Sequence, residues 1–285
     1  MKTNKVVRPF LKWAGGKRQL VPEIKERYLP KNYNTYYEPF LGGGALLFEL
    51  QPEHAVINDS NSELMNCYEA IKTVVDELIE DLSKHKNEKS YFYEIRDLDR
   101  VPGGLAAYQK ETSAVQRASR IIFLNKTCYN GLFRVNSQGQ FNVPFGRYKK
   151  PNFLEPEVLK SVSNYLNNNQ VKILNTDFGE AVQSARKGDF IYFDPPYDPI
   201  SDTASFTGYN INGFDQKQQE RLKKTVDDLT HRGCKILLSN ACTDFIRDLY
   251  GDEYTVDIVS ASRAINSNTL KRGKIDEVLI RNYEL

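Results

Sequence analysis

Residues 36–59 read YYEPFLGGGALLFELQPEHAVIND. Tyr36-Tyr37-Glu38-Pro39-Phe40 is a short aromatic strand that stops at Gly42-Gly43-Gly44. Ala45–Leu50 then begins a helix, and Ala55-Val56-Ile57-Asn58 is a second buried strand ending at Asp59. Strand, glycine turn, helix and strand in that order make a βαβ unit of a parallel sheet. Outward from this unit, strand runs return at Val171–Leu174, Asp189–Phe193, Lys235–Leu238 and Glu277–Tyr283, with a helix over Gln216–His231. Between Ser62 and about Gln170 the period changes. Leu64, Tyr68, Ile71, Val75, Leu78 and Leu82 recur at helical spacing, as do Val115, Ala118, Ile121, Ile122 and Leu124. Only Gln140–Phe145 is strand-like there, and Val101-Pro102-Gly103-Gly104 breaks the pattern. The expected fold is α/β: a doubly wound, mostly parallel Rossmann-like sheet from residues 1–61 and 171–285. A mostly helical inserted domain, residues 62–170, interrupts it.

The 285 residues are 40% hydrophobic and 27% charged, as in an ordinary globular protein, which excludes collagenous and disordered classes. No apolar run approaches the ~20 residues of a membrane span. The N-terminal MKTNKVVRPFLKWAGGK lacks a signal-peptide core, so a cytoplasmic protein is expected. Four scattered cysteines (Cys67, Cys128, Cys234, Cys242) and three histidines have no metal-ligand spacing, so neither metal chemistry nor a disulfide scaffold is expected.

A net charge of +2 is uninformative until divided along the chain. From Thr112 to Lys150 there are seven basic residues (Arg117, Arg120, Lys126, Arg134, Arg147, Lys149, Lys150) and no acidic one. The flanks carry −1 and −4, so one stretch holds the positive charge. That is the footprint of a polyanion site. Tyr129, Phe133, Phe141, Phe145 and Tyr148 lie among those charges, as do the amides of Asn130, Asn136, Gln138, Gln140 and Asn142. Basic groups position phosphates, whereas amides, arginine and apolar contacts read base edges. Arg263, Lys271, Arg272 and Lys274 form a second acid-free segment, a phosphate contact or a solvated loop.

Three segments have the residue types of a nucleoside-cofactor site at strand carboxyl ends. Phe40-Leu41-Gly42-Gly43-Gly44 permits tight backbone geometry and close approach of a ligand, although a glycine turn without a ligand fits equally. It has neither the Gly-Lys-Ser/Thr of a P-loop nor a full dinucleotide fingerprint. Asp59 could accept both hydroxyls of a ribose, or could cap the helix that starts near Ser62. In Asp194-Pro195-Pro196-Tyr197, two prolines fix φ and hold the neighbouring carbonyls rigidly outward. Asp194 and the Pro195 carbonyl can then accept the two hydrogens of an exocyclic amino group, with Tyr197 stacked on the base.

Asp194–Tyr197 preceded by Phe40–Gly44 resembles the paired signatures of S-adenosylmethionine-dependent DNA adenine-N6 methyltransferases. Leu11-Lys12-Trp13-Ala14-Gly15-Gly16-Lys17 looks like the opening motif of the Dam-type branch. So do Tyr129-Asn130-Gly131-Leu132-Phe133-Arg134 and Phe141-Asn142-Val143-Pro144-Phe145-Gly146-Arg147-Tyr148-Lys149. The five motifs span nearly the whole chain in the right order. Asp76–Ser113 matches none of the pattern, and Thr127-Cys128 is less aromatic than in relatives. The resemblance implies a catalytic group of Asp194, Pro195, Pro196 and Tyr197. For the methyl donor, S-adenosylmethionine, it implies a pocket from Trp13, Lys17, Phe40, Gly42, Gly44 and Asp59, with Asp177-Phe178 at its adenine and Asp194 touching it too. Taken alone, Trp13 could be a core aromatic and Lys17 a solvated charge.

For DNA the resemblance implies base reading by Leu132, Arg134 and Pro144. Tyr129-Asn130 would enter the stack at the flipped base, Lys12 would read an outer guanine, and Asn142, Arg147, Tyr148 and Lys149 would make further contacts. Phe206 or Tyr209 could help stack the base. The implied target is GATC in double-stranded DNA, modified by a monomer, alone or beside a separate cognate restriction endonuclease. Rival readings are an RNA adenine methyltransferase and a non-catalytic DNA-binding protein. Asp194 favours adenine, because glutamine-modifying relatives usually carry Asn there and cytosine-N4 enzymes Ser.

Overall fold

The glycine turn has the backbone that its composition permits: Gly42 and Gly44 sit at φ +51° and +67°, where a side chain would be strained. The computed structural model describes residues 4–13, 20–199, 214–262 and 274–285. Along the chain these form α1 (Val21–Glu23, continuing as a π turn over Ile24–Tyr28), β1 (Tyr36–Glu38), α2 (Ala45–Leu50) and β2 (His54–Asn58). Six helices follow: α3 (Ser62–Thr73), α4 (Val75–Ser83), α5 (Lys89–Asp97), α6 (Gly104–Glu111), α7 (Ala114–Thr127) and α8 (Pro156–Asn168). Then come β3 (Gln170–Leu174), α9 (Phe178–Ala181), β4 (Phe190–Phe193) and α10 (Gln216–His231). The chain ends in β5 (Lys235–Ala241), α11 (Asp244–Tyr250), β6 (Thr255–Ser262) and β7 (Lys274–Arg281).

These elements cluster into two compact units, residues 1–16, 42–51 and 59–175, and residues 17–41, 52–58 and 176–285. The second unit is built on strands in the order β2-β1-β4-β5-β7-β6. β1 pairs in parallel with β2 and β4, and β4 with β5, while β7 runs antiparallel to both β5 and β6. Phe190–Phe193 is buried at every position, as expected of a parallel strand covered on both faces. Asp215 caps α10 by accepting the Gln218 N–H at 3.0 Å, and Leu222, Val226 and Leu229 form its buried stripe, packed toward β5.

In the first unit α7 is the hub. Ser113 and Gln116 form a capping box at its start, and Ala118, Ile121, Ile122, Phe123 and Leu124 are buried against α3, α4 and α5. Residues 62–170 are thus mostly helical, as the spacing predicts, and the molecule is α/β.

The structure departs from the expectation in several places. Gln140–Phe145 forms no strand, only the single pairings Val135–Phe141 and Cys128–Phe145. Pro144 has no N–H to donate, and the Asn136 side chain takes the Gln138 and Gln140 N–H groups, each at 3.0 Å. α1, α9, α11 and β6 are additional elements; β6 lies at the sheet edge and pairs with β7.

Candidate active site

In the first unit the site begins at Asp59. Its carboxylate accepts the Gly42 N–H at 3.0 Å and the Asn61 N–H at 2.9 Å. The capping role belongs to Asn61, whose side chain accepts the Leu64 N–H at 3.0 Å. Asp59 therefore braces the glycine turn instead of capping α3. Tyr68 donates to the Gly42 carbonyl at 3.1 Å from below. Burial raises the Asp59 carboxyl above its ordinary value, against the opposing pull of the Asn61 and Gly42 N–H groups. A carboxylate can accept about four hydrogen bonds. A pair of ligand hydroxyls would supply the compensation that this one lacks, so the residues present fit a ribose.

Trp13 closes over the same turn. A Cβ on Gly42 would lie 2.8 Å from Trp13 Cδ1, so only glycine admits the indole there. Phe133 also stacks on the indole, at 4.8 Å with a 23° interplanar angle. Lys17 lies outside the described residues, as do Phe206, Tyr209, Arg263, Lys271 and Arg272.

The same unit carries the basic stretch. Asn125, fully buried on α7, accepts the Lys12 N–H at 2.8 Å and donates to the Lys12 and Gly131 carbonyls at 2.8 and 3.0 Å. This ties the opening motif to the Tyr129–Arg134 loop. Gly131 (φ +63°) lets the Lys12 stem pass, since a Cβ there would meet it at 2.3 Å, and Lys12 Nζ sits 5.1 Å from the centre of the Tyr148 ring. Arg134 donates through Nε to Asn142 Oδ1 at 2.7 Å, so an expected base reader and an expected further DNA contact face each other across one turn. Tyr129, Asn130, Arg134, Pro144, Arg147 and Lys149 are exposed; Leu132, Asn142 and Tyr148 are half-buried.

The charge reading narrows here. Arg117 is paired with Glu63 at 2.7 Å, Arg120 with Asp99 at 2.8 Å, and Lys126 with Glu155 at 2.7 Å. These acids come from outside the stretch. Arg134, Arg147, Lys149 and Lys150 are the exposed members, with no ion pair among the described residues. The segment Asp76–Ser113 acquires a task as well. Asp99, 1% exposed, holds Arg120 and also accepts the Phe141 N–H at 2.9 Å, while Gln140 donates to the Asp99 carbonyl at 3.3 Å.

In the second unit Asp194 follows β4, and almost every residue of its loop is pinned. Ser239 donates to Asp194 Oδ1 at 2.9 Å, Gln219 to the Pro196 carbonyl at 2.9 Å, and Tyr197 to Glu277 Oε2 at 2.8 Å. Asn240 links them: it donates to Gln219 Oε1 at 3.1 Å and accepts the Asp198 N–H at 3.1 Å. Ser239, Gln219 and Asn240 are buried, so these bonds are shielded from water. Burial, followed by the Asp194 charge, pushes the Tyr197 phenol well above its usual range; it remains a donor.

Nearby, Asn58 binds the Pro39 and Thr176 carbonyls at 3.0 and 3.1 Å, joining the ends of β1 and β2 to the loop that carries Asp177. The half-buried Phe40 ring stands 5.2 Å from Phe178 and 5.6 Å from Phe214. Asp177 caps α9 through the Gly179 N–H at 2.9 Å and pairs with Arg221, whose guanidinium lies 4.2 Å from the Phe178 ring centre. Burial works to raise the Asp177 carboxyl, but Arg221 and the Gly179 N–H outweigh it and hold it below its usual value. Sequence reasoning missed Ser239, Gln219, Asn240, Glu277 and Arg221. The one available signal was the abrupt change from Ile236-Leu237-Leu238 to the polar Ser239-Asn240. Among the described residues no group of three or more His, Cys, Asp or Glu could hold a metal ion, and no helix is long and apolar enough to cross a membrane.

Comparison with known proteins adds names to this geometry. Residues 13–265 match the family described as D12 class N6 adenine-specific DNA methyltransferase. The chain is 46% identical to the type II methyltransferase M1.LlaDCHI of Lactococcus lactis subsp. cremoris, covering 99% of this chain and 98% of that protein. It is 43% identical to the type II methyltransferase M.MjaIII of Methanocaldococcus jannaschii, covering 97% and 99%. It is 35% identical to the DNA adenine methylase of Escherichia coli K12, covering 98% and 95%.

Proposed function

The chain belongs to the D12 class N6 adenine-specific DNA methyltransferase family, and on that premise we propose that it methylates N6 of an adenine flipped out of duplex DNA at GATC, with S-adenosylmethionine as donor. Adenine-specific DNA methyltransferase activity follows from the family; the donor, the flipping and the target sequence are the reading advanced here. Asp194 at the end of β4, with its carboxylate fixed by a buried hydroxyl, carries it. The amino nitrogen of adenine is a poor nucleophile because its lone pair is delocalised into the ring. Asp194 and the Pro195 carbonyl accept its two hydrogens, which favours a pyramidal nitrogen and balances the positive charge that develops on it. Preorganised acceptors in a dry site contribute ~3–4 kcal/mol, about 10²–10³ in rate.

Bound S-adenosylmethionine supplies an activated methyl group. Asp59 would hold its ribose, Gly42 and Gly44 would admit it closely, and Trp13, Phe40 and Phe178 would wall the pocket with Asp177 at the adenine. Unstacking the target base costs a few kcal/mol, which Tyr129, Asn130 and the Tyr197 ring would offset. Lys12, Leu132, Arg134 and Pro144 would read neighbouring bases, supported by Asn142, Arg147, Tyr148 and Lys149. On this reading residues 62–170 form the target-recognition domain, the enzyme works as a monomer in the cytoplasm, and a restriction endonuclease, where present, acts separately. The test is methylation of a plasmid followed by mapping of modified positions. Adenine in GATC is the expected product, and Asp194→Ala is expected to abolish transfer while DNA binding persists. Modified cytosine, or an Asp194→Ala enzyme with substantial turnover, would refute the assignment.

A further inference from the structure

We propose that Ser239 is a positioning residue for methyl transfer, orienting the Asp194 carboxylate through a directed hydrogen-bond chain that starts at Tyr192. The inference rests on the reading of Asp194 as acceptor of the N6 hydrogens. The parallel register between β4 and β5 pairs Tyr192 with Leu237 and Phe193 with Leu238, so the next pair along is Asp194 and Ser239. Ser239 is fully buried, and its Oγ lies 2.9 Å from Asp194 Oδ1, 3.2 Å from Tyr192 Oη and 3.4 Å from the Phe193 carbonyl.

A serine hydroxyl has one hydrogen. The carboxylate is its nearest acceptor and the stronger one, so the hydrogen goes to Asp194. Ser239 Oγ must then accept from Tyr192, whose phenol is 1% exposed and is held in its protonated, donating form by burial. The direction of the chain is therefore fixed: Tyr192 to Ser239 to Asp194. Tyr192 and Ser239 are both buried, so each bond polarises the next in a low-dielectric environment. Locked in this way, the carboxylate keeps one rotamer and meets the amino group without reorganising.

A positioning role predicts a loss in kcat without a loss in binding. Ser239→Ala is expected to lower kcat about 10- to 100-fold, the range for removing a hydrogen bond to a charged group. KM for the duplex and for S-adenosylmethionine should stay near wild type, and Ser239→Thr should restore most of the rate. Tyr192→Phe should act in the same direction more weakly, and the double variant should be no slower than Ser239→Ala alone, because Tyr192 acts through Ser239. Wild-type kcat in Ser239→Ala, or additive losses in the double variant, would overturn the proposal. If Ser239→Ala fails to fold, Tyr192→Phe and Ser239→Thr carry the test: the first must slow turnover and the second must not. Asp194→Ala in parallel separates the two claims. Turnover there removes the premise, whereas an inactive Asp194→Ala beside a fully active Ser239→Ala removes only the role of Ser239.

Discussion

At the scale of single residues, two acids at strand ends, Asp59 and Asp194, differ in what holds them. Asp194 takes a side-chain hydroxyl from the neighbouring strand, so a buried serine helps set its orientation. Asp59 takes two backbone N–H groups, so its orientation depends on the glycine turn itself. Its raised pKa, caused by burial, means that the free protein stabilises the charged form incompletely. Ligand hydroxyls are expected to complete it. Asp59→Ala should accordingly raise KM for S-adenosylmethionine about 10- to 100-fold, the value of hydrogen bonds to a charged acceptor. Steady-state kinetics over donor concentration checks this. Equal KM values in variant and wild type would leave Asp59 only as a brace for the turn. Gly42→Ala should be as harmful for a different reason, since its Cβ would press on the indole of Trp13 from a positive-φ backbone.

At the scale of elements, the turn that carries Arg134 and Asn142 is anchored from the segment between α5 and α6, and through it from α7, rather than by a strand ladder. Asp99 precedes α6, and it accepts from Arg120 on α7 and from the Phe141 N–H. Arg100 adds a donor to the Phe141 carbonyl at 3.2 Å. Removing one partner of a buried ion pair typically costs about 3–5 kcal/mol, because the survivor stays buried and uncompensated. Asp99→Ala and Arg120→Ala should each lower stability by that order. The double variant should lose clearly less than the two costs together, which a urea-unfolding double-mutant cycle measures. Strict additivity would mean that the pair does not act as a unit.

The same elements show what was legible in the sequence. α10 was read to the residue, because Leu222, Val226 and Leu229 mark a stripe between the Asp215 cap and His231. The strand ends bearing Asp59 and Asp194 were legible too, since each acid closes a short apolar run, although Asp59 also read as a cap for the helix that follows. β6 was not read: Thr255–Ser262 alternates weakly, and its strand character comes from pairing with β7, the next strand in the chain. Asp99 and Ser239 were invisible for a related reason. Their partners lie 21 and 45 residues away in the chain, so nothing local marks them.

At the scale of the molecule, a net charge of +2 coexists with a surface that fits a polyanion because the charges are segregated. Burial then sorts the seven cations of the stretch into two groups. Arg117, Arg120 and Lys126 hold the first unit together through Glu63, Asp99 and Glu155. Arg134, Arg147, Lys149 and Lys150 remain at the surface, where the proposed DNA contact would use them. The two groups should respond differently to salt and to sequence. Each phosphate contact that releases a counterion steepens the fall of log K with log salt by about 0.9. Lys149→Ala or Lys150→Ala should thus weaken binding to GATC and to unrelated duplexes alike, and lower the salt slope by about 1. Arg134, held by Asn142 in a fixed direction, should behave as a base reader. Arg134→Ala is expected to cost about 1–3 kcal/mol on GATC and much less on unrelated DNA. Titrations of both duplexes at several salt concentrations decide the matter. If Arg134→Ala weakens the two duplexes equally while lowering the salt slope, Arg134 belongs with the phosphate contacts, and sequence reading must come from Leu132, Pro144 and Lys12.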